Sequence, residues 1–252
     1  MPNYVRNEVR FYGTEETLKE IQKVCNNMDF DKIMPMPETL NIISGRTAEL
    51  SSICYLLFTN NITDMDDEKV AQAKDFIEGF PINGTVSESS PFGERSKDIS
   101  YLYSDSPNNP KCQADVLALG EIVENNKVLY GTTDWYYWRI NNWGTKWNPD
   151  DCEMVYPDEN ESLTYYFETP WSMPFGIMTK ILEKCKSLEF SMTWAFADED
   201  IGNNCGRFRK DIDDHNVDDI VMDHEDDTRF ALNLWGFPED YYDYDEEEDE
   251  VP

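Results

Sequence analysis

Leu188-Glu-Phe-Ser-Met-Thr-Trp-Ala-Phe196 sets an apolar side chain at every second position for nine residues. Successive side chains of an extended chain point to opposite sides, so this spacing predicts a strand with Leu188, Phe190, Met192, Trp194 and Phe196 on one buried face. Upstream, Pro174 opens a stretch where Phe175, Met178, Ile181, Leu182 and Cys185 recur at helical spacing. Before that, Leu163, Tyr165 and Phe167 alternate as another strand, and a further short strand is expected after Gly206, near Arg207–Ile212.

The opening residues repeat the theme. Val5, Val9 and Phe11 alternate with Arg6, Glu8 and Arg10, giving a half-buried strand. Gly13-Thr14 breaks it, with Thr14 as an N-cap and Glu15 and Glu16 in the first helical turn. Leu18, Ile21, Cys25 and Met28 stripe the helix that follows, and the proline-rich run from Phe30 to Pro37 reads as an ordered connector. Two helices are expected within residues 45–80, on the stripes Leu50, Ile53, Leu57 and Val70, Ala73, Ile77, Phe80. Pro81 to Pro110 is a loop by composition, and Val116, Leu119 and Val123 mark a helix ending near Asn125-Asn126. In order this is an α+β chain close to the ferredoxin-like, split βαβ pattern. Residues 1–44 and 148–212 form the expected core, 45–147 a mainly helical insertion, and 213–252 an acidic C-terminal extension.

With 252 residues, 40% of them apolar, the chain can bury a sizeable core. Its formal charge is −31, a field that repels phosphate backbones and anionic lipid surfaces and attracts basic ones. Direct nucleic-acid or membrane binding is therefore not expected. From Asp198 onward, 21 acidic residues stand against four basic ones, a net −17, compared with −14 over the first 197 residues. Six cysteines lack C-x-x-C spacing, and two histidines complete no zinc set, so no metal or cofactor is expected. The amino terminus has no apolar leader pattern, and no apolar run reaches the ~20 residues of a membrane span. These features lead to the expectation of a reduced, cytoplasmic setting in a bacterial host cell.

Four segments resemble the YubB-type ferredoxin-like proteins of plasmids and bacteriophages. They are Met1-Pro2-Asn3-Tyr4 with Asn7; Phe30-Asp-Lys-Ile-Met-Pro-Met-Pro37; Asn142-Trp-Gly-Thr-Lys-Trp-Asn148; and Phe167-Glu-Thr-Pro-Trp-Ser-Met-Pro174. The resemblance implies a ferredoxin-like core and a mobile-element origin, with no catalytic residues to carry over. The sequence departs from the family at Pro170, where a small residue is usual, and in the region after Asp198, which reads as an addition.

Asp134-Trp-Tyr-Tyr-Trp-Arg139 with Trp143 and Trp147 offers either a stacking platform or a packed aromatic layer. Asp214, Asn216, Asp218, Val221 and Glu225 fall at calcium-loop spacing, but position six is Asp219 where the turn needs glycine. No phosphate loop, nucleophile elbow or singled-out acid–base pair is present, so no enzymatic activity is expected. The functional expectation rests on the acids Asp198, Glu199, Asp200, Asp211, Asp213, Asp214, Asp218, Asp219, Asp223, Glu225, Asp226, Asp227, Glu239, Asp240 and Asp243. Trp235, Phe237, Tyr241 and Tyr242 would be aromatic anchors among them. Seventeen excess charges match roughly 30 Å of duplex DNA at one charge per ~1.7 Å. The expected role is an inhibitor, encoded by a phage or plasmid, that mimics nucleic acid. It would fill the basic channel of a host defence enzyme, a CRISPR effector or restriction nuclease. The alternative is an assembly module that recognises its partner through Trp135–Trp147, with the acids serving solubility.

Overall fold

The structure, a computed structural model, describes residues 3–61, 66–82, 110–156, 162–200, 205–214, 221–224 and 228–238. The chain divides into two compact units, Met1–Pro35 with Arg139–Pro252, and Met36–Trp138.

The first unit is built on β1 (Tyr4–Tyr12), whose Val5, Asn7, Val9 and Phe11 are buried while Tyr4, Arg6, Glu8 and Arg10 face the other way. Thr14 caps α1 (Glu15–Cys25) as its spacing predicts, its hydroxyl accepting from the Thr17 amide at 3.2 Å. A short helix α2 (Phe30–Ile33) follows. The remaining strands are β2 (Cys152–Val155), β3 (Ser162–Pro170), β4 (Ser191–Asp198), β5 (Cys205–Lys210) and β6 (Val221–His224). All pairings are antiparallel and the spatial order is β2-β3-β1-β4-β5-β6. Between β3 and β4 runs α7 (Phe175–Cys185), which buries Ile177, Met178, Ile181, Leu182 and Cys185 and packs beside α1. The succession β1-α1-β2-β3-α7-β4 with order β2-β3-β1-β4 is the ferredoxin-like arrangement. β5 and β6 then widen the sheet by two antiparallel strands.

The expected strand and helix around Leu163–Phe196 are present, but three readings change. The connector from Phe30 holds a helical turn, because Phe30 and Ile33 are both buried. β2 had no alternation signal: it is a four-residue edge strand of intermediate and exposed residues. Within the region expected as an acidic extension from 213, two regular elements form. β6 continues the sheet, and α8 (Thr228–Trp235) lays Ala231 and Leu232 on Ala197 of β4. Ala197 lies level with Arg6, so α8 covers the sheet face opposite Val5 and Phe11.

The second unit packs α3 (Arg46–Thr59), α4 (Asp67–Glu78) and α5 (Gln113–Tyr130) around Leu50, Ile53, Cys54, Ala73, Ile77, Val116 and Leu117. Gly120 lets α3 and α5 cross closely, since a Cβ there would lie 2.0 Å from the Ser51 carbonyl oxygen. The helix expected to stop near Asn125-Asn126 runs on to Tyr130. Asn126 is buried and donates to the carbonyls of Thr39 and Thr133 at 2.9 and 3.0 Å, so it is a tether and not a cap. The cap is Gly131, at φ +69°. The loop expected from Pro81 to Pro110 lies largely outside the described residues. Among the described residues no helix is long and apolar enough to cross a membrane.

Candidate functional site

The four segments behind the family resemblance interlock in the sheet unit. Asn7 faces inward and makes three hydrogen bonds, donating to the Val5 carbonyl (2.9 Å) and Thr169 Oγ1 (3.0 Å) and accepting from Trp194 Nε1 (3.0 Å). Thr169 Oγ1 in turn donates to the Ser172 carbonyl at 2.9 Å, and Ser172 Oγ donates to the Gly144 carbonyl. Thr145 Oγ1 donates to the Pro170 carbonyl at 2.8 Å. Within α6 (Trp135–Trp143), the buried Trp143 donates from Nε1 to the Met34 carbonyl at 2.9 Å and meets Phe30 edge-on at 5.8 Å. Asn148 Oδ1 accepts from the Phe30 amide at 2.7 Å. Two glycines permit the closeness: Gly144 at φ +87°, and Gly176, where a Cβ would sit 1.8 Å from the Asn142 carbonyl oxygen. These residues hold the fold.

What this bracing presents to solvent is the candidate site. Register places Tyr4, Asp198 and Pro170 at one end of the sheet, since Val5 pairs with both Thr169 and Asp198. Cys152 pairs with Phe167, so Asp150 and Asp151 lead into the same end. Asp150, Asp151, Glu153 and Glu168, with Tyr4, Arg6, Tyr166 and Phe167, line a groove of about 480 Å³. Arg6 pairs with Glu168 at 2.8 Å, leaving the other three acids of the groove in excess. Beside it, Asp198 Oδ1 accepts from the Asp200 amide at 3.2 Å, the Glu199 amide donates to the Tyr4 carbonyl at 2.9 Å, and Asn3 Nδ2 donates to Asp200. Seven carboxylates from three chain segments thus gather on backbone that is already fixed.

Next to Pro170, at the same end of the sheet, stands Trp171, 43% exposed and at φ +67°. A left-handed backbone is strained for so bulky a residue, and it persists only where neighbours over-determine it. Here the Trp171 amide donates to the Asn3 carbonyl at 2.8 Å, between Pro170 and Ser172, both of which are hydrogen-bonded as above. The Lys146 ammonium lies 4.6 Å from the ring centroids of both Trp147 and Trp171. Sequence reasoning missed Asp150, Asp151, Glu153 and Glu168, because only strand register brings them together, and it named Trp147 without its pairing to Trp171 across Lys146.

Of the sequence-predicted acids, Asp198, Glu199 and Asp200 belong to this end. Asp211, Asp213 and Asp214 do not: they follow β5 at the opposite end, level with Ser191. Seven residues of strand separate Asp198 from Ser191, about 24 Å at ~3.4 Å per residue. There Asp214 Oδ2 accepts from the Asp211 amide at 2.8 Å. Lys210, buried between them and Phe190, donates to the carbonyls of Phe190 and Asp211. Burial lowers the Lys210 pKa against the pull of Asp214 and Asp211. Asp223 lies level with Arg207 in β6. Trp235 and Phe237, expected as anchors for a partner, are partly buried against Ala197, Ala231 and Leu232. They stack at 5.9 Å, and Trp235 Nε1 donates to the carbonyls of Ala197 and Asp198, fastening α8 to the sheet. Asp218, Asp219, Glu225, Asp226, Asp227, Glu239, Asp240, Tyr241, Tyr242 and Asp243 lie outside the described residues, as does most of the Asp214–Glu225 spacing.

The aromatic run of α6 is divided. Trp138 and Trp143 are buried, Asp134 caps the helix by accepting from the Tyr136 amide at 3.0 Å, and Tyr137 is 53% exposed. Among the described residues no group of three or more histidine, cysteine, aspartate or glutamate side chains is placed to hold a metal ion. All six cysteines are free thiols. Burial pushes Cys54 and Cys152 up to about 12 and Cys185 up to about 11.

Residues 142–250 match the family model described as a ferredoxin-like domain in Api92-like protein. A crystal structure of a protein api92 from Yersinia pseudotuberculosis superposes with a TM-score of 0.43 and 14% identity, over 89% of this chain and 99% of that one. No curated protein matches. The family matched is Api92-like, where the four segments had pointed to the YubB type. The match runs through the acidic residues after Asp198, which are therefore within the domain and not an addition to it. The part of this chain that carries the acidic sheet end is similar to the ferredoxin-like domain of Api92-like proteins.

Proposed function

We propose that this protein is a non-catalytic binder of a basic protein, its acidic sheet end occupying the channel in which that partner holds nucleic acid. The observation that carries the reading is the gathering of Asp150, Asp151, Glu153, Glu168, Asp198, Glu199 and Asp200 at one end of a braced sheet, in a chain of net charge −31. Carboxylates pinned on strands and turns lose little freedom on binding, so they give register where a loose polyacid gives only attraction. A DNA-binding defence enzyme of a bacterial host, a CRISPR effector or restriction nuclease, is the partner class to test first. Recognition through Trp135–Trp147 has less to work with, since Trp138 and Trp143 are buried.

The test is capture from a bacterial lysate on the immobilised protein. The retained protein should be basic, should elute steeply with rising salt, and should be displaced by excess duplex DNA. Retention of neutral or acidic proteins alone, or retention indifferent to DNA, sinks the reading.

A further inference from the structure

We propose that Trp147 and Trp171 form a cage for an arginine side chain of the partner, and that Lys146 fills this cage in the free protein. The proposal rests on the basic-partner reading and adds the contact that selects one residue type within it.

Three observations lead there. First, the Lys146 ammonium sits 4.6 Å from the centroids of both indoles, the separation at which a ring face attracts a cation. The site is thus of a size and polarity that a cation fills. Second, Trp171 is held in a left-handed backbone by the Asn3 carbonyl and by the bonded residues on either side, yet its ring is 43% exposed. A half-exposed ring held in a fixed backbone is a preorganised contact surface. Third, the chain runs directly from Trp147 through Asn148 and Pro149 to Asp150 and Asp151 of the acidic groove. Trp147 lines a hollow together with Asp31 and Asp150, so carboxylates stand beside that indole.

The occupant follows from the chemistry of exchange. A lysine ammonium is compact and strongly hydrated and sits on a flexible four-carbon stem, so water competes for it more strongly than for a guanidinium. A guanidinium is planar, more weakly hydrated and stacks flat on aromatic faces, so arginine is the better tenant. Lys146 then acts as a placeholder: it covers the indoles in the free protein and discriminates against weak cations that cannot displace it.

The experiment uses the full chain and a small probe, N-acetyl-arginine amide, titrated against sodium chloride at matched ionic strength. Binding is followed by the NMR signals of the Trp147 and Trp171 indole N–H groups. Lys146→Met should bind the probe about tenfold more tightly than the parent. Adding Trp171→Gly should abolish the gain, although the net charge is the same as in Lys146→Met. Glycine accepts the left-handed backbone, so this variant keeps the loop; Trp147→Leu in the Lys146→Met background is the second check and should behave alike. No gain in Lys146→Met, or a gain that survives loss of either indole, overturns the cage. The basic-partner reading is read separately, from whether the protein captured from lysate loses affinity for Asp150→Asn/Asp151→Asn/Glu153→Gln. If that affinity is unmoved while the probe behaves as stated, the cage stands and the broader reading falls.

Discussion

Replacing Asn7 tests whether the shared segments serve the fold. Its amide is fully buried and links β1 to β3 and β4 through Thr169 and Trp194. In Asn7→Leu the branched shape is kept, but the indole N–H of the equally buried Trp194 loses its acceptor. An orphaned buried donor costs about 1–3 kcal/mol. The hydroxyl of Thr169 still donates to Ser172, so the larger share of the loss falls on Trp194. About 2–3 kcal/mol of destabilisation is expected. Trp194→Phe orphans Asn7 Oδ1 in the same way and leaves a small cavity, for about 3–4 kcal/mol. In the double variant both partners are gone and neither group is left unsatisfied. Its loss should fall short of the sum by about 1.5–2 kcal/mol. Urea unfolding followed by far-ultraviolet circular dichroism gives the four free energies. Additivity to within about 0.5 kcal/mol, the behaviour of independent sites, would refute the network.

Gly176→Ala places a Cβ 1.8 Å from the Asn142 carbonyl oxygen, which α7 cannot relieve without moving off α6. A loss above about 3 kcal/mol is expected in the same assay, against near-neutrality for Gly131→Asn, where the site is open and asparagine tolerates positive φ. Alkaline pH should also weaken the fold. Burial raises Cys54 to about 12 and holds Cys25 well above an ordinary thiol, so the native state keeps protons that the unfolded chain releases near 8.5. Their contribution is whole below that pH and is lost as pH rises toward the folded values, at about 1.4 kcal/mol per pH unit for each thiol. Unfolding free energies between pH 8.5 and 10 should fall accordingly, with Cys54→Ala removing one thiol's share of the slope; an unchanged slope would contradict the burial argument.

How much was legible depended on whether a residue's surroundings are local. β4 announced itself because Phe190, Met192, Trp194 and Phe196 all face the core, and α7 because its stripe is nearly complete. β2 is an edge strand of four residues, Cys152 to Val155, too short for its own composition to mark it. Asn7 was the harder case. On an otherwise apolar face it breaks the alternation, and only Trp194 and Thr169, 187 and 162 residues away, explain it. The site divided along the same line. Asp198–Asp200 was visible as charge density, whereas Asp150, Asp151, Glu153 and Glu168 are ordinary acids until the register of β2, β3 and β1 joins them. Density misled as well: Asp211–Asp214 is as acidic as Asp198–Asp200 but lies at the far end of the sheet, and Trp235 and Phe237 are spent on holding α8. The left-handed backbone of Trp171 has no sequence signal, since glycine or asparagine would normally occupy it.

The most direct measurement compares the two ends. Affinity for the basic protein captured from lysate would be measured for Asp150→Asn/Asp151→Asn/Glu153→Gln/Glu199→Gln/Asp200→Asn and, separately, for Asp211→Asn/Asp213→Asn/Asp214→Asn, amides that keep the turn-capping acceptors while removing charge. A loss of tenfold or more with a flattened salt dependence for the first variant, and less than about threefold for the second, is the predicted result. Equal losses at both ends would mean that charge alone, and not its placement on the sheet, is what the partner reads.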